Sequence, residues 1–145
     1  MATRRATATW EGNLADGHGK AELESGVASA LDVNWRARTE GGAETSPEEL
    51  LAAAHAACFS MALSHELSQA GNEPTKLSVA AAVSFEPVEG GFGVTKSHLK
   101  VRGAVPGIDR EAFEQAAQAA GEGCPISGAL KGNVDISVEA ELEEG

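Results

Sequence analysis

The chain has two cysteines, and their settings are opposite. Cys58 lies inside the apolar run LLAAAHAACFSMAL, whereas Cys124 immediately precedes Pro125 in GEGCPISGAL. A thiol reacts as its thiolate, so the surroundings of each sulfur decide its chemistry. In the middle of an apolar helix a thiol's pKa rises, the wrong direction for a nucleophile unless a cation corrects it. The plain reading of Cys58 is therefore a small buried hydrophobe. A cysteine before a proline at the first helical position occupies the N-cap, where free N–H groups and the positive end of the helix favour a thiolate. Local physics thus nominates Cys124 as the more acidic thiol, beside the plain alternative of a mediocre cap.

His55 stands three residues before Cys58, on the same helical face. That spacing admits a Cys-His dyad for acyl transfer, or two ligands of a metal site completed by Cys124 and one further residue. No CxxC pair accompanies them, and neither an orienting group nor an oxyanion hole is identifiable, so a solvated or hydrogen-bonded structural histidine is the plainer reading. Glu48 and Glu49 fall in the first turn of the same helix, where the macrodipole favours carboxylates. Glu49 has a capping task; Glu48 is free to orient a cation such as an arginine. Arg36 and Arg38 precede Gly41-Gly42, and their plain reading is exposed strand residues paired with the abundant acids.

The elements that position these residues follow from the pattern. Strands are expected at Arg5 to Glu11, near Ala21 to Ser25 and over Ala30 to Arg38. Ser46-Pro47-Glu48-Glu49 is a capping box with proline at the first helical position, and it starts a helix that runs to about Ala70 and stops at Gly71. This helix is apolar around most of its circumference, so it is expected at the centre of the molecule, covered on most sides. Leu77 to Phe85 alternates as a strand, and the turn EGGFG leads to a second strand through about Arg102, forming a hairpin. After the turn Val105-Pro106-Gly107, Asp109 caps a helix through about Ala120 that Gly121 ends. Cys124 and Pro125 open a short helix or turn to about Lys131, and Val134 to Leu142 alternates as a last strand. The order describes an α+β fold, antiparallel sheet packed on helices, in a single domain over residues 1–145.

Composition narrows the function. A hydrophobic fraction of 42% and a charged fraction of 23% are those of an ordinary globular protein. A formal charge of −11 argues against a nucleic-acid or anionic-membrane partner. MATRRATATW has no apolar segment behind its charges, and no apolar stretch is expected to reach the length of a membrane span, so a cytoplasmic location is expected. In a reducing compartment, two cysteines point to free core thiols, redox chemistry or metal binding rather than to a permanent disulfide.

Several stretches together resemble the OsmC/Ohr family, the osmotically inducible protein C and organic hydroperoxide resistance proteins. They are Ala8-Thr9-Trp10-Glu11-Gly12, the helix from Thr45-Ser46-Pro47-Glu48-Glu49 through AAHAACFSMAL, Ala104-Val105-Pro106-Gly107-Ile108-Asp109 and Gly123-Cys124-Pro125-Ile126-Ser127. They span nearly the whole chain in order and spacing, and the helix is closer to the OsmC branch. The resemblance implies a thiol peroxidase with no metal or cofactor, for organic hydroperoxides and also hydrogen peroxide. It implies Cys58 as the peroxidatic cysteine, oxidised to a sulfenic acid, and Cys124 as the resolving one, closing an intramolecular disulfide. An external dithiol then reduces the pair: a lipoylated protein, thioredoxin or a small thiol. In the family an arginine and a glutamate complete the site, and the matching positions are Arg38, in Arg38-Thr39-Glu40-Gly41, and Glu48, with Arg36 as a second guanidinium close by. The family's fold implies an intertwined homodimer, antiparallel sheets outside and long helices in the middle, with active sites built across the interface. The alternative is a non-enzymatic module that binds a hydrophobic ligand in the same apolar pocket.

Overall fold

The computed structural model describes residues 1–144; Gly145, the last residue of the expected domain, lies outside them. Contacts along the chain gather into two compact units, Met1–Leu50 and residues 51 onward.

In the first unit, β1 (Ala6–Glu11), β2 (His18–Leu23) and β3 (Leu31–Val33) form an antiparallel sheet in that order. Gly19 faces Trp10 across the ladder, and a Cβ there would meet the Trp10 ring at 2.7 Å, so the glycine makes room for the indole. The third strand is shorter than expected. Asn34 takes the Ala37 N–H on its side chain at 2.8 Å and caps a short helix, α1 (Trp35–Thr39), so Arg36 and Arg38 are helical residues rather than strand residues. The next helix, α2 (Pro47–Gln69), starts where the sequence indicates. Ser46 Oγ accepts the Glu49 N–H at 3.1 Å, but the Glu49 carboxylate takes the Thr45 hydroxyl, so only one half of the capping box is made.

The second unit holds the rest of α2, the hairpin of β4 (Lys76–Val88) and β5 (Gly91–Ala104), then α3 (Arg110–Gly123), α4 (Pro125–Leu130) and β6 (Asp135–Leu142). The helix α2 ends in paired bonds, Asn72 N–H to the Leu67 carbonyl at 2.8 Å and Gly71 N–H to Ser68 at 3.0 Å, with Gly71 at φ +87°. The sheet order is β4-β5-β6. β6 lies parallel to β5, not antiparallel, because α3 and α4 supply the long crossover that a parallel pair requires.

One face of this sheet carries Leu77, Val79, Leu99, Val101, Ile136 and Val138 against Phe59, Leu63 and Leu67 of α2 and Phe113, Ala117 and Ala120 of α3. Each fully buried leucine or phenylalanine there contributes about 1.5–3 kcal/mol. On the other face Lys96, Lys100 and Arg102 stand in register with Asp135, Glu139 and Glu141, so opposite charges line up across the parallel pair.

Gly121 does not end α3, which runs on to Gly123. Its task is close approach: a Cβ there would lie 2.6 Å from Val138 Cγ2. Two expectations for α2 also change. Within the chain it buries only the stripe Glu48, His55, Phe59, Leu63 and Leu67, while Ala53, Ala54 and Ala57 are exposed and Met61 is 73% exposed. Its 23 residues also meet the length and apolar content of a bilayer span, which no stretch was expected to reach. The alanine-rich face that the chain itself leaves uncovered is the source of both differences.

Candidate active site

Each unit holds one cluster of the residues singled out by sequence. In the first, the short helix α1 presents Arg38 and the first turn of α2 presents Glu48. Arg38 Nε donates to Glu48 Oε1 at 2.9 Å and Nη2 to Oε2 at 3.0 Å, a bidentate pair in which the arginine side chain is 30% exposed and the glutamate side chain 7%. The guanidinium lies over the Trp35 ring, 5.8 Å from its carbon to the ring centroid. Arg36 points elsewhere, to Glu40 at 3.0 Å on the open surface. Of the two arginines, Arg38 is the one locked in place, and Trp35, one turn before it, is a partner that sequence reasoning missed.

In the second unit, Cys58 on α2 and Cys124 at the junction of α3 and α4 are both free thiols. They lie within hydrogen-bonding reach of one another. Cys124 is 1% exposed and Cys58 only partly buried, so Cys58 is the more accessible residue of the two. Burial pushes the Cys58 thiol up, and the hydrogen bond with Cys124 pushes it further; the Ile126 backbone acts the other way. At Cys124 burial also raises, but the combined donors outweigh it: the Cys58 thiol, the backbone and hydroxyl of Ser127, and the Ile126 backbone together lower the pKa. Cys124 forms no regular cap hydrogen bond to α4, yet those N–H groups lie near enough to favour its charge. Of the two thiols, Cys124 is the one whose surroundings favour the thiolate, in line with its place before Pro125.

His55 is not aimed at Cys58. Its Nδ1 lies 2.6 Å from Ser97 Oγ and its Nε2 2.8 Å from Ser127 Oγ, with the ring fully buried. Both ring nitrogens are thus occupied by hydroxyls, which removes the dyad and metal-ligand readings of His55. Burial lowers its pKa, which favours the neutral imidazole. Neither serine was singled out for this role from sequence. The available signal was polarity at an inward position: Ser97 alternates with the buried Leu99 and Val101 along β5, and Ser127 sits one turn after Cys124.

A family model described as OsmC-like protein matches residues 39–139. Peroxiredoxin OsmC of Escherichia coli strain K12 is 44% identical over 136 residues, covering 94% of this chain and 95% of that protein. Organic hydroperoxide resistance protein OhrB of Bacillus subtilis strain 168 is 35% identical over 142 residues, covering 96% and 98%. The crystal structure of the Bacillus subtilis OhrB superposes with a TM-score of 0.75 at 34% identity, covering 94% of this chain and 98% of that one.

Proposed function

Because the chain belongs to the OsmC-like protein family, with relatives named peroxiredoxin and organic hydroperoxide resistance protein, it is a thiol peroxidase, and we propose that Cys58 takes the oxygen and Cys124 resolves it. The observation that carries this reading is the pairing of a partly buried free thiol with a fully buried one within hydrogen-bonding reach. Cys58, as thiolate, attacks the peroxide oxygen. The O–O bond breaks, the alkoxide leaves and takes a proton, and Cys58 becomes a sulfenic acid. The Cys124 thiolate then attacks the Cys58 sulfur; an S–S bond forms, the S–O bond breaks, and hydroxide leaves with a proton as water. An external dithiol, whether a lipoylated protein, thioredoxin or a small thiol, restores both thiols by exchange.

Burial and the hydrogen bond with Cys124 both raise the pKa of Cys58, the wrong direction for the first step. Arg38 is the cation assigned to correct this, with Glu48 fixing its guanidinium. The substrate class is an organic hydroperoxide, because Cys58 packs against an apolar core. The working form is a homodimer in a cytoplasmic, reducing compartment, the second copy covering the apolar face of α2 around Ala54, Ala57 and Met61.

The test is steady-state reduction of an organic hydroperoxide in the presence of a dithiol. Wild-type protein is expected to consume it catalytically and Cys58→Ser not at all; equal rates for both refute the reading. Sedimentation equilibrium is expected to return twice the chain mass, and a single-chain mass at working concentration removes the dimer.

A further inference from the structure

The buried row Ser97, His55, Ser127 takes no part in the peroxide steps above, yet it places three polar side chains in an otherwise apolar core, at 0%, 0% and 2% exposure. Such groups are retained only when hydrogen-bonded, and each of these is. A core with no further task would be filled by alanine or leucine at lower desolvation cost.

The row ends at the resolving thiol. Ser127 lies in the first turn of α4, whose N-cap is Cys124, and both side chains are essentially inaccessible. Ser127 Oγ has one proton to give, and the neutral His55 has one ring N–H. Only two orientations of the row satisfy every contact. In one, protons point along the row: Ser97 O–H to Nδ1 and Nε2–H to Ser127 Oγ, which leaves the Ser127 O–H free for the Cys124 sulfur one turn before it. In the other they point back, and the Ser127 proton is used on His55. A thiolate acceptor selects the first, because a charge-assisted hydrogen bond is about twice as strong as a neutral one.

We infer that Ser97, His55 and Ser127 are positioning residues for Cys124: the imidazole, held as its Nε2–H tautomer by Ser97, keeps the Ser127 proton free to hold Cys124 as a thiolate poised beside Cys58. The inference rests on the resolving role of Cys124 proposed above. It places the control of disulfide closure in the core of the second unit. When Cys124 attacks the sulfenic sulfur, the electron pair that Ser127 was stabilising becomes the S–S bond.

Cys58→Ser leaves one thiol per chain, so the ultraviolet thiolate absorbance of that protein against pH reports Cys124 alone. Adding Ser127→Ala is expected to lower the thiolate fraction about tenfold at pH values below the midpoint, and Ser127→Thr to restore it. With Cys58 present, Ser127→Ala is expected to slow disulfide closure after a peroxide pulse about tenfold while the sulfenic acid still forms and accumulates. An unchanged titration and closure rate overturns the inference. Imidazole nitrogen NMR of reduced wild-type protein needs no variant: a protonated Nε2 and an unprotonated Nδ1 are expected, and the opposite tautomer overturns the inference even if Ser127→Ala fails to fold. Should the protein consume no peroxide, the peroxidase reading fails, while the titration and the tautomer still decide what Ser127 does to Cys124.

Discussion

Glu48 grips Arg38 through both carboxylate oxygens, at 2.9 and 3.0 Å, from a position itself only 6% exposed. The guanidinium is thereby fixed in plane and direction before any substrate arrives. Breaking such a pair from the arginine side leaves a carboxylate buried without its partner. Arg38→Ala is expected to reduce the rate of Cys58 oxidation by about tenfold to a hundredfold, the equivalent of one charge-assisted hydrogen bond. Glu48→Gln should act in the same direction and less strongly, since it keeps one acceptor. Arg36→Ala, which removes only a surface pair with Glu40, should leave the rate within about twofold. Stopped-flow measurement of thiol loss against peroxide concentration checks all three.

The two sulfurs also differ in what happens when the other is missing. Cys124→Ser is expected to leave Cys58 unresolved after the first attack, so that excess peroxide carries it to the sulfinic acid, seen in the mass spectrum as two added oxygen atoms on Cys58. A Cys124→Ser protein that turns over repeatedly without added oxygen would show that the second thiol is dispensable.

His55 is buried neutral, and the consequence for stability has a definite sign. Its pKa is lowered on folding, so its contribution is fully present above the ordinary imidazole value near 6.5 and is lost as the pH falls below that value toward the lowered one. Across that window the unfolded chain binds more protons than the folded one, and unfolding free energy should fall by up to about 1.4 kcal/mol per pH unit. Denaturant midpoints between pH 7 and 5 measure it; a flat profile would mean that the ring titrates alike in the folded and unfolded chain, and stability rising toward pH 5 that it is charged in the core.

Gly103 marks how tightly α3 is pressed on the sheet. A Cβ there would come 2.5 Å from Phe113 Cζ and 3.2 Å from Leu77 Cδ2, both within the core. Gly103→Ala should destabilise the fold by about 1–3 kcal/mol through overpacking, whereas Gly123→Ala, which meets nothing within 4 Å, should be neutral or slightly stabilising. Thermal unfolding of the two variants separates these outcomes.

How legible each part was depends on how local its cause is. The start of α2 and the cap of α3 were legible because Ser46 and Asp109 bond donors three residues away. The helix α1 was misread although Asn34 was in plain view, because Trp35, Arg36 and Arg38 also suit an exposed strand. Gly121 reads as a stop signal, and only the nearness of Val138 from β6 reveals a packing role. The Arg38–Glu48 pair could be placed by analogy with a family, and its two bonds span ten residues. His55 resisted because its partners lie 42 and 72 residues away, and no periodicity encodes such a meeting.

The most direct test of the central claim is a count of free thiols. Reduced protein is treated with one equivalent of an organic hydroperoxide per chain, quenched with an alkylating reagent and weighed as the intact chain and as its peptides. The account predicts that two free thiols become none, with Cys58 and Cys124 joined in one disulfide within a chain and one equivalent of alcohol released. Both thiols still free, or a stable Cys58 sulfinic acid in the wild-type protein with Cys124 still alkylatable, would contradict it.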